Sequence, residues 1–374
     1  MNNAGLPFRA KLLGLDNSLL SWMLLFLPLS FLAKALGYDP ILVFVISGLA
    51  IVPLAAMIAN ATENIAGAVG PSVGGLLNAT FGNATEMVIA IVALSEGLVD
   101  VVKASISGTI IANLLLALGA GMLLGGCRHS EQKFRPRVAR INASSLTLAL
   151  VVLLTPTSIH YTSPGLNPLT IEHFSLVASA LLLAFYVLSL LFSMKTHRHL
   201  YELNLNGGNG SAVAVIGGTE NHAPIRWNVG ILFGSSVVLV FVSEVLVASL
   251  ETAIQTLGLT QLFTGVILIP LFGGVVEYIA VISFARKNKM DLAVSVAMGS
   301  SLQIALFVAP VLVFAGQLMG QSMDLEFEPF ELIAVTMAVV VTNSISKDGR
   351  SNWLEGVLLL VTYGVVAAAF YFHP

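Results

Sequence analysis

Two acidic residues stand where apolar sequence should run on. Glu86 closes the pentapeptide Gly82-Asn-Ala-Thr-Glu, and Glu277 closes Gly273-Gly-Val-Val-Glu; each then leads into a mostly apolar run. A hydroxyl directly after a glycine recurs at the same distance beyond each glutamate, as Gly108-Thr109 and as Gly299-Ser300. An amide follows each, Asn113 in the first case and Gln303 in the second, one residue out of register. A charged side chain at mid-bilayer costs at least ~2.5–3.5 kcal/mol on insertion scales, so an acid kept there is read as functional. Carboxylates, hydroxyls and amides form a hard donor set with no thiolate. Calcium above all takes such a shell, whereas zinc or copper would ask for His or Cys. The same carboxylates can hold protons once the cation has left, because like charges in low dielectric favour protonation. Competition for one set of oxygens is enough for exchange if the site opens to one side at a time.

The neighbours of the glutamates extend this reading. Asn83 and Glu86 are three apart and so share a helix face. Gly82, Gly273 and Gly274 allow close helix approach and weaken the local helix. Pro270 removes a backbone donor and is expected to kink or break its span, freeing carbonyls as further hard ligands. The bland alternative for Thr109, Ser300 and the glycines is ordinary small-residue packing between helices.

The elements that position these residues follow from composition. The 374-residue chain is 56% hydrophobic and only 10% charged, with a mean hydropathy of +0.91. Soluble domains carry roughly 25% charged residues, so the expected class is an all-α integral membrane protein. Continuous apolar runs, without the alternation of barrel strands, predict about eleven transmembrane helices. They cover approximately 18–37, 40–59, 76–96, 101–125, 141–160, 172–194, 227–249, 262–285, 291–316, 329–344 and 353–371. With the N-terminus placed in the cytoplasm, 15 of the 17 Lys and Arg residues fall inside, and only Lys34 and Lys103 outside. That asymmetry fixes the expected orientation and puts the C-terminus outside.

A Gly- and Asn-rich stretch, 195–226, reads as a cytoplasmic linker. It separates a first repeat, 39–194, from a second, 227–374, and leaves 1–38 as an extra N-terminal helix. The glutamates, the glycine–hydroxyl pairs and the amides recur in the same order. So do Glu63 and Glu251, each seven residues before a glycine, Gly70 or Gly258. Five spans per repeat is an odd number, so the second copy must enter the membrane upside down. Inverted repeats are a signature of secondary transporters, with the site near the midplane where the halves meet.

Other features carry less. Glu244 is a further buried-acid candidate without a counterpart in the first repeat. Glu96, Asp100 and Lys103 read as a solvated cluster or a cation vestibule, and Asp324, Glu326 and Glu328 as an outer loop. The histidines fall in loops or at helix ends. The single cysteine, Cys127, excludes a disulfide framework. Zinc-protease, Walker and serine-elbow motifs are absent, so no enzyme activity, cofactor or nucleic-acid partner is expected. The expected partners are Ca2+, H+ and the lipid bilayer.

At the level of motifs, GGLLNATFGNATEMVIAIVAL followed by GTIIANLLLALG resembles the first repeat motif of the cation/proton exchangers, a branch of the calcium/cation antiporter superfamily. FGGVVEYIAVISFARKNKMDLAVSVAMGSSLQIALFVAP resembles the second. The resemblance implies that Glu86 and Glu277 bind the cation and exchange it for protons, with Asn83, Thr109, Asn113, Ser300 and Gln303 in support. Two positions depart from the family pattern of Gly-Asn-Ala-x-Glu-His in the second motif: Gly274 replaces the asparagine and Tyr278 the histidine. Gln303-Ile304 resembles the proton-coupled branch, since the sodium-coupled branch tends to carry an acid at the position of Ile304. A Ca2+/H+ antiporter is therefore expected, in a prokaryotic plasma membrane given the short N-terminus. A Na+/Ca2+ or Mn2+ exchanger is the alternative, and a cation channel using the glutamates as a selectivity ring is more remote.

Overall fold

The computed structural model describes residues 18–163, 165, 167–201 and 224–373. Most of the expected linker, and the basic residues Arg9 and Lys11, lie outside the described residues. The chain is helical, and the helices are α1 (Leu19–Ala35), α2 (Pro40–Val69), α3 (Pro71–Phe81), α4 (Ala84–Ser95), α5 (Val99–Gly126), α6 (Pro136–Thr162) and α7 (Leu169–Thr196). They continue as α8 (Ile225–Leu257), α9 (Gln261–Gly273), α10 (Val275–Arg286), α11 (Met290–Met319), α12 (Pro329–Ile345) and α13 (Trp353–Phe372). Seven are long and apolar enough to cross a membrane, or nine spans if the bent pairs α3–α4 and α9–α10 each count as one. The first and tenth expected spans fall on α1 and α12, which are apolar but shorter than that length criterion.

Helix boundaries follow local chemistry. Asp39 caps α2 by accepting from the Ile41 N–H at 2.9 Å, and Pro40 occupies the first turn, where a missing donor costs nothing. Gly70, at φ +89°, then ends α2, and Pro71 starts α3. A full capping box opens α13: Asn352 accepts from Leu354 and Glu355, and Glu355 accepts from the Asn352 N–H. A short antiparallel pair, β1 (Gln132–Lys133) with β2 (Arg350–Ser351), ties the loop after α5 to the loop before α13.

The helices fall into two compact units, and each draws on both halves of the sequence. The unit holding α1–α4 and α8 is centred on α2, whose Ile51, Leu54 and Ile58 are almost fully buried. Helix α8 packs along it and buries Leu239, Val242 and Leu246. Asn64 donates to Asn228 across this pair at 3.4 Å.

The other unit holds α5–α7 and α9–α13 and is centred on α5. Its backbones touch where small residues meet, as expected when lipid offers no hydrophobic drive for helix association. A Cβ built on Gly108 of α5 would lie 2.2 Å from the Val266 carbonyl of α9, and one on Gly265 would lie 2.4 Å from Ala104. Gly356 of α13 approaches α5 in the same way, its built Cβ 2.7 Å from the Gly119 carbonyl.

Candidate functional site

Glu86 and Asn83 belong to the first unit. Helix α3 ends at Phe81, α4 starts at Ala84, and the chain bends by 42° between them. Asn83 takes φ −113° and ψ 31°, outside helical geometry, and is buried at the cap of α4. Glu86 follows in the first turn, half-buried, where unpaired N–H groups and the helix dipole favour negative charge. Gly82 stays helical and closes α3 through its N–H to the Asn78 carbonyl at 2.8 Å.

Glu277 and its break lie wholly in the second unit. The bend between α9 and α10 is larger, 61°, and Gly274 sits at its apex with φ −85° and ψ 7°. Pro270 is not the break itself: α9 continues through it to Gly273. Its carbonyl is not left free either, because it accepts from the Gly274 N–H at 2.9 Å and from the Tyr278 hydroxyl at 2.8 Å. The Tyr278 ring fills the space beside Gly274, so a Cβ built there would lie 2.6 Å from the tyrosine oxygen. Gly274 and Tyr278 are thus one fitted pair. The repeat partner positions are Asn83 and Met87, where the polar atom sits on the break residue instead.

The supporting residues of α5 and α11 also lie in the second unit. Thr109, Asn113 and Ser300 are all buried. Asn113 Nδ2 donates to Ser300 Oγ at 3.1 Å, joining the first repeat to the second. Thr109 returns its own hydroxyl hydrogen to the Ser105 carbonyl at 2.8 Å, which leaves its lone pairs for other partners. Both helices carry a π-helical stretch at the amide, Ala112–Ala117 around Asn113 and Ile304–Val308 just after Gln303. Such bulges are frequent at functional sites. Relative to the bulges the amides differ by two positions: Asn113 is the second residue of its bulge, and Gln303 immediately precedes its own.

Two oxygens in this unit stand out. Asn113 Oδ1 and Glu277 Oε2 are buried and make no hydrogen bond among the described residues. Buried acceptors without partners are rare and call for an explanation such as an ion or water. Both are hard oxygen donors, the type calcium takes. Among the described residues no group of three or more His, Cys, Asp or Glu side chains is placed to hold a metal. Any cation shell must therefore draw on amides, hydroxyls and carbonyls as well as carboxylates.

The glycines that precede the two hydroxyls differ. Gly108 is pressed against Val266, whereas a Cβ on Gly299 would meet nothing within 4 Å. Other sequence expectations are revised. Glu244 is exposed on α8, between the buried Ser243 and Val245. Lys103 is not a solvated residue: it is largely buried, paired with Asp324 and bonded to the Glu326 carbonyl at 2.8 Å. Two further residues gain weight: Tyr278, noted in the sequence as a departure from the family motif, and Glu331, which sequence reading passed over. The fit of Tyr278 against Gly274 emerges on asking what fills the place of Asn83 in the second repeat. Glu331, in the first turn of α12, is 2% exposed.

Comparison with known proteins places these motifs in context. The model of the sodium/calcium exchanger protein family matches residues 40–195 and 227–372. A protein of Aphanothece halophytica named Ca(2+)/H(+) antiporter is 52% identical over 96% of this chain and 97% of its own length. A second of that name, from Synechocystis, is 51% identical over 94% and 96%. The solved structure of native YfkE superimposes with a TM-score of 0.80 at 33% identity, over 95% of this chain and all of that one.

Proposed function

The chain belongs to the sodium/calcium exchanger protein family, and we propose that within it this protein is a secondary active antiporter exchanging Ca2+ for H+. The observation that carries the reading is the pair of buried, unpartnered hard oxygens, Asn113 Oδ1 and Glu277 Oε2, in a unit where Asn113 already binds Ser300. The relatives that cover nearly the whole chain are named as Ca2+/H+ antiporters, which favours protons over sodium as the coupling ion.

In this reading Glu86 and Glu277 are the carboxylates that hold Ca2+ when ionised and protons when it has left. Asn83, Thr109, Asn113, Ser300 and Gln303 supply neutral oxygens, so that removing the cation from water is compensated without stacking more negative charge. The proposed organisation keeps the sequence boundaries: an extra helix within 1–38, repeats at 39–194 and 227–374, and a cytoplasmic linker at 195–226. The N-terminus is proposed to be cytoplasmic. Lys103 was one of two basic residues assigned outside, and its burial against Asp324 makes it a structural charge rather than a topological one.

Ca2+ uptake into energised vesicles, with a pH gradient or a sodium gradient imposed in turn, tests the reading. Uptake that follows the pH gradient is expected. Uptake driven by sodium and indifferent to pH would replace it with sodium coupling, and uptake with no counter-ion at all would point to a channel.

A further inference from the structure

The second unit holds a buried carboxyl that the exchange site does not use. Glu331 is the third residue of α12, after Glu328 at the cap and Pro329 in the first turn. An acid at that position is ordinarily half of a capping box or a favourable charge at a helix end. Glu355 of α13 shows that arrangement: it is half-buried, and its Oε2 accepts from the Asn352 N–H at 3.0 Å. Glu331 does not share it. The cap of α12 has no side-chain hydrogen bond, Glu331 is 2% exposed, and its Oε2 has no hydrogen-bond partner among the described residues.

Its surroundings offer a negative charge little compensation. Helix α12 packs on α5 and α6. From α5, Ser107, Lys103 and Asp100 face the carboxyl, and Glu328 faces it from its own helix. Among the described residues the ammonium facing it, Lys103, is taken by Asp324 and the Glu326 carbonyl. His160 at the end of α6 is paired with Glu326 at 3.2 Å. The Ser107 hydroxyl is within hydrogen-bond reach of Glu331 and of the Ala104 carbonyl at 3.0 Å, so the carboxylate competes with that carbonyl for its single hydrogen. While the hydroxyl serves Ala104, a hydrogen bond between the two carries its hydrogen on the carboxyl.

We propose that Glu331 is a proton-binding residue of the antiporter, a carboxyl beyond Glu86 and Glu277 that takes up and releases H+ where α5 and α12 begin, with Ser107 as its hydrogen-bond partner. Release breaks only the carboxyl O–H bond, leaving Glu331 as carboxylate and passing the proton to water as hydronium; uptake is the reverse. Ser107 directly precedes Gly108-Thr109, so the site touches the same helix that carries Thr109 and Asn113. The inference rests on the Ca2+/H+ reading.

The test uses the full chain in proteoliposomes that report Ca2+ and pH together, comparing the native protein with Glu331→Gln. Calcium titration of the detergent-solubilised protein is expected to give the same affinity for both. Calcium-dependent H+ flux should fall about a hundredfold in the variant, the low end of what one positioned proton-transfer group contributes, and its pH profile should flatten. Infrared difference spectra between acid and alkaline buffer should lose one protonated-carboxyl band. An unchanged pH profile with the band retained overturns the proposal, and so does a parallel loss of Ca2+ affinity, which marks a structural role. If Glu331→Gln does not fold, Ser107→Ala keeps the carboxyl and is expected to shift the same band; no shift also overturns it. Native protein that shows no Ca2+-dependent H+ flux defeats the antiport reading instead, while the infrared band still reports on Glu331.

Discussion

The two helix breaks that carry Glu86 and Glu277 solve one problem in different ways. In α3–α4 the polar group sits on the break residue itself, Asn83, and an apolar Met87 follows the glutamate. In α9–α10 the break residue is Gly274, and the polar group comes from Tyr278, one turn on, whose hydroxyl reaches back 2.8 Å to the Pro270 carbonyl. The second break is also the sharper, 61° against 42°. A repeat can thus conserve its carboxylate while moving the neighbouring polar atom to another position. What is held in common is the acid in the first turn after a break. What differs is which residue beside it carries the polar atom.

The sharpest way to break the comparison is to remove the acids. Glu277→Gln and Glu86→Gln should each lower Ca2+/H+ exchange by about a hundredfold or more, the scale on which essential proton-transfer groups act. Vesicle flux at saturating Ca2+ measures this. If one variant keeps near-native flux while the other is dead, the breaks are not functional equivalents and that glutamate is not a ligand.

Copying the first break into the second is the next largest change. Gly274→Asn alone pushes a side chain into the Tyr278 ring, whose oxygen would lie 2.6 Å from the new Cβ. Overpacking of this kind costs roughly 1–3 kcal/mol, seen as a lower melting temperature in detergent together with weakened flux. Adding Tyr278→Met, which reproduces the Asn83/Met87 pair, should restore most of the loss. A double variant no better than Gly274→Asn alone would show that the two residues are not a fitted pair.

The glycines before the hydroxyls offer a smaller test with opposite signs. Gly108→Ala meets the Val266 carbonyl at 2.2 Å and should destabilise by roughly 1–3 kcal/mol. Gly299→Ala meets nothing within 4 Å and should gain up to about 1 kcal/mol of helix propensity. Thermal melts of the two variants decide it. Equal destabilisation by both would mean that the repeats pack more alike at these positions than the distances indicate.

How much of this could be read in the sequence depended on whether a signal was periodic or spatial. The glutamates, the glycines and the repeat were legible because a charge in an apolar run, and its recurrence, are properties of the string. The sharp break at Gly274 was anticipated near Pro270, but proline sits comfortably in the last turn of α9 and the bend falls four residues later. Glu244 was misjudged because hydropathy registers a run and not the face a residue occupies on it. Glu331 escaped because an acid three residues after a helix cap looks like routine capping. Only its burial and the contrast with Glu355 separate it from that role.

The smallest predicted effect bears most directly on selectivity. Tyr278→Phe removes one hydroxyl from the second break and leaves the ring that fits Gly274 in place. The lost hydrogen bond to the Pro270 carbonyl should cost about 0.5–1.5 kcal/mol of stability. It also leaves that carbonyl with only the Gly274 N–H, and so with a lone pair able to meet a hard cation. The expected result is a changed ratio of Ca2+ to Mn2+ and Sr2+ transport, read by competition in the same vesicle assay, with turnover on Ca2+ altered less than the ratio. A variant with a lower melting temperature and an unchanged ion preference would confine Tyr278 to shaping the break. The polar atom that replaced Asn83 in the second repeat would then serve the helix and not the ion.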